Sequence, residues 1–450
     1  MSTSSIQSKS SPLWAKPGAG IEQGAMAFMS RDDVLLDREL FRFDIQATKA
    51  HVHGLNAIEL LGDDETKAID AALDDLASRF ESGVFVLDER YEDGHTAIES
   101  FLVEHLGETG KRVHLGRSRN DQVAVALRLY MLDVLDQTRE LCLRIARSAL
   151  GVARTHEMAP MPGYTHLQRA VPSTVGLWMG SFAESFAESA HLCALTRSWL
   201  DASPLGTAAG YGVNLPLARE QVASELGFAR VQINPMAVQA ARGRLEHQVI
   251  STLWQAMQEV RRLAWDYSLF SSQEFGFVTL ASGFVTGSSI MPNKKNPDMA
   301  ELLRASTAVV GGALSEIQQT MSLPSGYQRD LQITKPALIR AVKVSIEALS
   351  HIPRLIETAT LHTDRMRAAI DSTMFATDHA VKLASNGMAF RDAYVQAAQS
   401  IGETEASQID INASVRERVS PGGCGDLMLD TIENRLNQLA AGSFADSQAR

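Results

Sequence analysis

The fold is decided by residues 121–157, which read DQVAVALRLYMLDVLDQTRELCLRIARSALGVARTHE. Apolar residues recur there at steps of three and four, beginning with Val123, Leu127 and Tyr130. That spacing marks one face of an α-helix. A helix of this length exceeds the globular mean of about a dozen residues. We therefore expect it to pack along its whole length, in a helical bundle or against another subunit.

Four further stretches show the same helical periodicity, namely residues 172–201, 244–271, 297–322 and 335–361. Pro353 predicts a kink in the last of them. The stretch 172–201 is rich in Gly, Ser and Ala, which favours close approach of helix axes inside a bundle, although a surface helix also tolerates small residues.

Strand-like alternation is scarce and is confined to short candidates at residues 83–87 and 275–280. The sequence therefore predicts an all-α fold with a central bundle of long helices. We expect three domains: a helical N-terminal domain (1–115), a long-helix domain (116–361) and a small helical C-terminal domain (362–450).

Composition excludes several classes of protein. The chain has 450 residues, of which 45% are hydrophobic and 21% charged, values that exclude wholesale disorder. Its net charge of −11, without a basic block, argues against binding to nucleic acid or to an anionic membrane. The N-terminal stretch lacks the apolar core of a secretory signal, and no run of apolar residues is long enough to span a membrane.

The three cysteines, Cys142, Cys193 and Cys424, lie far apart and form no CxxC pair. This pattern indicates a reducing compartment, so we expect a cytoplasmic protein. Residues 1–12 and roughly the last eight are expected to be solvated tails.

Three polar segments each precede a long helix: HLGRSRND at 114–121, PGYTHLQR at 162–169 and TGSSIMPNKKNPD at 286–298. Helix N-termini attract anions through their unpaired N–H groups and the helix dipole. Alone, each segment is typical of ordinary helix caps, such as Ser118 or Asn120 before the first helix. Together, and with Arg117, Arg119, Lys294 and Lys295 nearby, they favour a small anion-binding pocket.

The third segment carries the most specific chemistry. A serine such as Ser288 removes a proton only if cations and N–H groups stabilise its alkoxide. Lys294 and Asn296 are suitable donors for the dianion that forms when a proton leaves the carbon beside a carboxylate, each worth about 3–4 kcal/mol at the transition state. The plainer alternative is a Gly/Ser turn followed by surface lysines.

A lone histidine is usually a surface residue or a satisfied core residue, and His166 is one of twelve. It gains interest because Thr165 flanks it and because Glu301, about one turn into the following helix, could pair with it. Such a pair would raise the imidazole pKa and orient its ring. The other histidines considered, including His95, lack the spacing of metal ligands, so no metal is predicted.

These segments resemble the signatures of the aspartase/fumarase superfamily, and within it those of the argininosuccinate lyase family. The superfamily pattern GSSxMPxKxNP is present at 287–297, GRSRNDQ at 116–122 and GYTHLQ at 163–168. The reading KKNPD is similar to the argininosuccinate lyase version. The resemblance implies an all-α homotetramer whose active sites combine segments of three subunits. It also implies β-elimination of argininosuccinate to arginine and fumarate, with no cofactor.

The resemblance also implies roles for individual residues. Ser288 would be the base, and Lys294 with Asn296 would hold the carboxylate that accepts the negative charge. His166, with Glu301 and Thr165, would act near the departing nitrogen, and the identity of the proton donor stays open. The succinyl carboxylates would bind Ser118, Arg119 and Asn120. Further substrate contacts or near neighbours would be Tyr327, Arg329, Gln332, Lys335, His95 and Asp37.

Some positions depart from the family pattern, namely Leu115, Ala218, Gly243 and Asp33, the last standing where a substrate-binding serine is common. An alternative is therefore a related C–N lyase that releases fumarate from another N-substituted aspartate. A third possibility is a non-catalytic structural protein on the same fold. The chain retains four proposed catalytic residues, namely Ser288, His166, Lys294 and Glu301. Their retention argues against a purely structural protein, because a structural role does not require all four.

Overall fold

The computed structural model describes residue 28, residues 32–401 and residues 410–442. The two tails expected from the sequence lie outside these residues. The helices of the described ranges are α1 (Asp33–Leu36), α2 (Phe41–Ala57), α3 (Asp63–Glu81), α4 (Gly94–Leu106), α5 (Glu108–Lys111), α6 (Arg119–Thr155), α7 (Val175–Leu200), α8 (Arg219–Glu225), α9 (Pro235–Ala240), α10 (Arg244–Phe270), α11 (Asp298–Thr320), α12 (Thr334–Thr358), α13 (Thr363–Ala368), α14 (Ala376–Ser385), α15 (Phe390–Gln399), α16 (Ile411–Arg416) and α17 (Leu429–Ala440).

The five long helices predicted from periodicity are α6, α7, α10, α11 and α12, and each boundary falls within three residues of its prediction. The all-α prediction is therefore confirmed. Pro353 lies inside α12, which continues to Thr358. Within the described ranges, no helix is both long and apolar enough to cross a lipid bilayer.

The strands of the described residues are short and form antiparallel pairs: β1 (Pro160–Thr165) with β2 (Gln168–Thr174), β3 (Val278–Thr279) with β6 (Thr360–Leu361), and β4 (Thr286–Gly287) with β5 (Lys295–Asn296). The strand predicted at 83–87 is wrong, since those residues form a turn and coil. The candidate at 275–280 contains β3.

The β1–β2 hairpin was missed, because its segment was expected to be a polar loop. Its prolines and glycine argue against a strand inside a sheet. In a two-stranded ribbon, however, each strand has a free edge, so Pro160, Pro162 and Pro172 are tolerated there. Pro162 and Pro172 even face each other in the register.

The chain divides into two compact units. Unit 1 comprises Met1–Asp136, Leu195–Ser251 and Gly312–Val342. Helices α2, α3 and α4 enclose one hydrophobic cluster in this unit, whose fully buried members include Phe41, Leu55 and Leu73. Each such side chain contributes about 1.5–3 kcal/mol on burial.

Unit 2 comprises Gln137–Ala194, Thr252–Gly311 and Lys343–Arg450. A small residue of α7 is required for close packing against neighbouring loop residues, whereas close approach of helix axes along α7 stays a prediction. A Cβ atom at Gly176 would lie 2.6 Å from the carbonyl oxygen of Glu157 and 2.7 Å from the side chain of Leu427. Trp178 on the same helix packs edge-on against Phe270, with ring centroids 5.3 Å apart. The division into three domains stays a prediction.

Candidate active site

In unit 1, the start of α6 is fixed by a reciprocal cap. The backbone N–H of Ser118 donates to Asp121 Oδ1 at 2.9 Å, and the N–H of Asn120 donates to Ser118 Oγ at 3.3 Å. The other oxygen of buried Asp121 accepts from the N–H of Ala208 at 2.9 Å. Of the two predicted caps, Ser118 is thus confirmed, whereas Asn120 lies inside the helix, which begins at Arg119. Ser118, Arg119 and Asn120 lie at a helix N-terminus, where the dipole favours anions.

Arg119 is already paired within the chain. Its Nη1 lies 3.0 Å from Glu92 and 3.2 Å from Asp93, and its Nη2 donates to Thr96 Oγ1 at 2.8 Å. Burial would lower the pKa of Arg119, but Asp93 and Glu92 raise it overall. A ligand carboxylate at Arg119 therefore has to share this guanidinium with two carboxylates of the protein.

His95 is buried at the N-terminus of α4. Its Nδ1 lies 2.5 Å from Asp44 Oδ2. Burial would lower the pKa of His95, but the carboxylates of Asp44, Asp93 and Asp37 raise it overall. The Asp93 side chain caps the same helix by accepting from the N–H of Thr96 at 2.7 Å. The surrounding carboxylates therefore favour the protonated form of His95.

Lys335, at the start of α12, is buried between two carboxylates. Its Nζ lies 2.6 Å from Asp33 Oδ1 and 2.6 Å from Asp37 Oδ1. The second oxygen of Asp37 accepts from the N–H of Gly94 at 2.8 Å, which links this pair to α4. Burial would lower the pKa of Lys335, but the two carboxylates raise it well above its usual range.

A cavity of about 510 Å³ opens beside these residues in unit 1. Its polar lining consists of Asp32, Asp33, Glu316, Asp330, Arg329 and Gln332. Arg329 Nε donates to Gln332 Oε1 at 3.0 Å, so these two predicted substrate contacts are hydrogen-bonded to each other. Half-buried Tyr327 precedes the short 3-10 helix Arg329–Ile333 that carries them.

In unit 2, His166 occupies the tip of the β1–β2 hairpin. Thr165 pairs with Gln168, so His166 and Leu167 are the two central residues of the turn. Both have positive φ, 56° and 58°, as a type I′ turn requires, although asparagine and glycine are the usual occupants. His166 and Thr165 are exposed there.

The loop that carries Ser288 connects β4 to β5, also in unit 2. Ser288 Oγ accepts from the N–H of Met291 at 3.0 Å and from that of Ile290 at 3.4 Å. Such N–H donors favour a negatively charged oxygen. Lys294 is exposed at the end of the loop, and Asn296 Nδ2 donates to the carbonyl of Gly287 at 3.5 Å across the ribbon.

Glu301 lies in the first turn of α11, next to an arginine. Its Oε1 is 3.6 Å from Arg304 Nη2, and the Arg304 guanidinium lies 4.0 Å from the ring centroid of Trp265. Among the described residues, His166 has no hydrogen-bond partner, so the predicted His166–Glu301 pair is not formed within one chain.

The structure thus groups the predicted residues within each unit. Unit 1 contains Ser118, Arg119, Asn120, His95, Asp37, Tyr327, Arg329, Gln332 and Lys335. Unit 2 contains Ser288, Lys294, Asn296, Thr165, His166 and Glu301. Direct contact joins Lys335 to Asp37, Arg329 to Gln332, and the two strands of the Ser288 ribbon.

Comparison with known proteins gives a family. The lyase family profile matches residues 25–312. The argininosuccinate lyase of Xylella fastidiosa (strain 9a5c) is 49% identical over 427 residues, covering 95% of this chain and 96% of the relative. That of Xanthomonas euvesicatoria pv. vesicatoria (strain 85-10) is 48% identical over 429 residues, covering 95% and 99%. The chain belongs to the argininosuccinate lyase family.

Solved structures support the fold of this argininosuccinate lyase family member. An EDDS lyase crystallised in complex with formate superposes with a TM-score of 0.78 over 94% of this chain and 92% of that chain. Its sequence identity is 23%, so this likeness concerns the fold alone. It agrees with the all-α architecture of long helices.

Sequence reasoning missed several charged residues of the site. Asp93 had a local signal, because an aspartate three residues before Thr96 is a typical helix cap. Asp44 and Glu92 had no local sequence signal, because the tertiary fold brings them to their partners, His95 and Arg119. Asp33 was noticed only as a departure from the family pattern, and its contact with Lys335 spans 302 positions of sequence.

Proposed function

We propose that this chain cleaves argininosuccinate to arginine and fumarate by β-elimination. The observation that carries the proposal is the near full-length identity of 47–49% to argininosuccinate lyases. A proton leaves the Cβ atom of the succinyl group, its electron pair forms the double bond of fumarate, and the C–N bond breaks. The departing guanidino nitrogen takes up a proton.

Ser288 is the proposed base. The N–H groups of Met291 and Ile290 donate to its Oγ and would stabilise the alkoxide without reorganisation. Lys294 and Asn296 would hold the carboxylate on which negative charge develops. The preorganised turn supports this assignment, since it places donors at the oxygen that has to carry the charge.

His166, with Thr165, would act at the departing nitrogen as the acid or as the group that positions it. Glu301 would orient His166 once the residues of different subunits come together. Ser118, Arg119 and Asn120 would bind the succinyl carboxylates. Tyr327, Arg329, Gln332 and Lys335 would form the other end of the substrate site, with His95 and Asp37 beside it.

The active form is proposed to be a cytoplasmic homotetramer with active sites shared between subunits. Large apolar side chains support this assembly because they are exposed on the single chain: Leu302 is 67% exposed and Trp265 52%, both on long helices. At the hairpin tip Leu167 is 71% exposed, and Ile290 beside Ser288 is 83% exposed. Burial of such residues would favour association.

The test is fumarate release followed by ultraviolet absorbance, with Ser288→Ala against the matched variant Ser289→Ala. Loss of a general base lowers kcat by about 10²–10⁴-fold, whereas Ser289, exposed in the same loop, should be nearly neutral. Equal activity of Ser288→Ala and the wild type would contradict the assigned base. Absence of fumarate from the wild type at high enzyme concentration would contradict the reaction.

The second candidate is a related C–N lyase that releases fumarate from another N-substituted aspartate. Asp33 is the observation that favours it, because this carboxylate lines the cavity beside Arg329 and Gln332. These residues would bind the group attached to the nitrogen of the aspartate. A panel of N-substituted aspartates decides between the two, since turnover of argininosuccinate alone would exclude the second candidate.

A further inference from the structure

Glu246 is a buried carboxylate in the first turn of α10, in unit 1. Its side chain is 1% exposed. Its Oε2 accepts from the backbone N–H of Gly243 at 2.8 Å, and its Oε1 lies 3.3 Å from Thr334 Oγ1. Thr334 Oγ1 also donates to the carbonyl oxygen of Leu331 at 2.8 Å. Glu246 is therefore linked, through Thr334, to the junction between the 3-10 helix Arg329–Ile333 and α12.

Arg242 connects Glu246 to the same 3-10 helix by a second route. Its Nε donates to Glu246 Oε1 at 3.2 Å, and its Nη2 donates to the carbonyl oxygen of Leu331 at 3.4 Å. Of the five residues of the 3-10 helix, Leu331 is the buried one. Its neighbours Arg329 and Gln332 line the large cavity of unit 1. The two charged side chains therefore hold the 3-10 helix at its buried residue.

The Arg242–Glu246 ion pair is better explained by positioning than by stability. Desolvation of two buried charges largely offsets their attraction, so that an apolar pair of similar volume is often equally stable. A short 3-10 helix has poor hydrogen-bond geometry of its own, so its place in the fold depends on anchors outside it. Glu246 and Arg242 provide such anchors through directed hydrogen bonds, which an apolar pair could not make.

We propose that Glu246 and Arg242 are positioning residues for substrate binding. They hold the 3-10 helix so that Arg329 and Gln332 meet the amino-acid end of the substrate in one arrangement. Neither positioning residue is part of the described cavity wall, so both act through the segment that they hold. This inference rests on the proposed function, because Arg329 and Gln332 are contacts that the proposed function assigns.

Inhibition constants of the two products test this positioning in the full-length enzyme. Glu246→Gln keeps the length of the side chain but removes its charge, and Thr334→Val removes only the hydroxyl contact. Each variant should raise KM for argininosuccinate and the inhibition constant of L-arginine by roughly 10-fold, within the range of one lost hydrogen bond to a charged group. The kcat should stay within a few-fold, because a loss of binding shared by substrate and transition state raises KM alone. The inhibition constant of fumarate, whose carboxylates would bind at residues 118–120, should not change.

The matched control is Asp201→Asn in the same unit. Asp201 is 9% exposed and lies 3.1 Å from Arg197, four residues before it, which is the same spacing as that of Arg242 and Glu246. It also accepts from the N–H of Ala229 at 2.9 Å, and among the described residues it makes no hydrogen bond to the 3-10 helix. This variant should lower Tm but leave KM and both inhibition constants unchanged.

Two results would overturn the inference. One is an unchanged inhibition constant of L-arginine in Glu246→Gln and Thr334→Val, whatever their Tm, since the ion pair would then be purely structural. The other is an equal rise in the inhibition constants of L-arginine and fumarate, which would indicate a general distortion of the site. If Glu246→Gln does not fold, Thr334→Val decides. A wild type that releases no fumarate from argininosuccinate would instead contradict the proposed function itself.

Discussion

Replacement of Lys335 by methionine should destabilise unit 1 strongly. The ammonium is 3% exposed and lies 2.6 Å from each of two carboxylates, those of Asp33 and Asp37. Methionine keeps most of the volume but leaves both carboxylates without their cation. Breaking a buried ion pair from one side costs about 3–5 kcal/mol. At about 2–4 °C per kcal/mol for units of 150–250 residues, this predicts a Tm lower by roughly 10 °C.

The loss of Tm in Lys335→Met should depend on pH. Burial raises the pKa of Asp33, and Lys335 lowers it, so loss of Lys335 raises this pKa further. A carboxyl whose folded pKa lies above its unfolded value loses stability as the pH rises through the folded pKa. The Tm deficit of Lys335→Met should therefore be larger at about pH 8 than at about pH 5.

Calorimetry at fixed protein concentration measures both effects, because association also shifts Tm. The matched control is Arg340→Met on the same helix, which removes an exposed pair with Glu316 (46% and 36% exposed). Exposed pairs contribute at most about 1 kcal/mol. If Lys335→Met lowered Tm no more than Arg340→Met, or if its deficit grew towards acid pH, the reasoning about the buried pair would be refuted.

Three further predictions concern stability and are checked by the same melting measurements. His53 lies between two carboxylates, 2.7 Å from Asp70 and 2.6 Å from Glu225. Burial would lower the pKa of His53, but these carboxylates raise it overall. Because a raised pKa stabilises the fold only while the imidazole is protonated, His53→Ala should lower stability at about pH 6 and change it little at about pH 9. A gap that widens with pH would contradict this. Gly110→Ala should cost about 2 kcal/mol or more, since a Cβ atom would lie 2.3 Å from a carbonyl oxygen of α4, and an unchanged Tm would disprove that clash. Gly151→Ala should instead raise stability by about 1 kcal/mol, because α6 is open there, and a lower Tm would show that the position is covered.

Most of the helical architecture could be predicted from sequence because the signal is local. Long runs with a period of 3.6 and few breakers specify helices such as α6 and α10 whatever surrounds them. The β1–β2 hairpin could not be predicted in this way, because its strands are stabilised by each other and tolerate prolines only as edges. Short strands such as β4 and β5 have almost no sequence pattern, and their pairing depends on the loop between them.

The candidate site was predictable where motifs are contiguous and unpredictable where charges meet through the fold. Ser288, Lys294 and Asn296 lie within nine residues and form one ribbon. The Lys335–Asp33 contact joins distant segments and needed the structure. One departure from the family pattern has a structural reason. Gly243 has φ +80°, and a Cβ atom there would lie 2.7 Å from Met321. A glycine in place of the family's acidic residue therefore does not by itself indicate another substrate.

The hairpin tip offers a physical argument for the proposed sharing of active sites. His166 and Leu167 both adopt the left-handed region, which costs of order 1–3 kcal/mol for each non-glycine residue and persists only where surrounding contacts over-determine it. Within one chain the pairing of Thr165 with Gln168 holds the backbone of the turn, but both side chains are exposed. In the proposed assembly, a turn that keeps two such residues, one of them a large apolar side chain, would be compensated further by a neighbouring chain. A neighbouring subunit that covers Leu167 and receives His166 would supply that compensation, and the strain would then fix the direction in which the imidazole points.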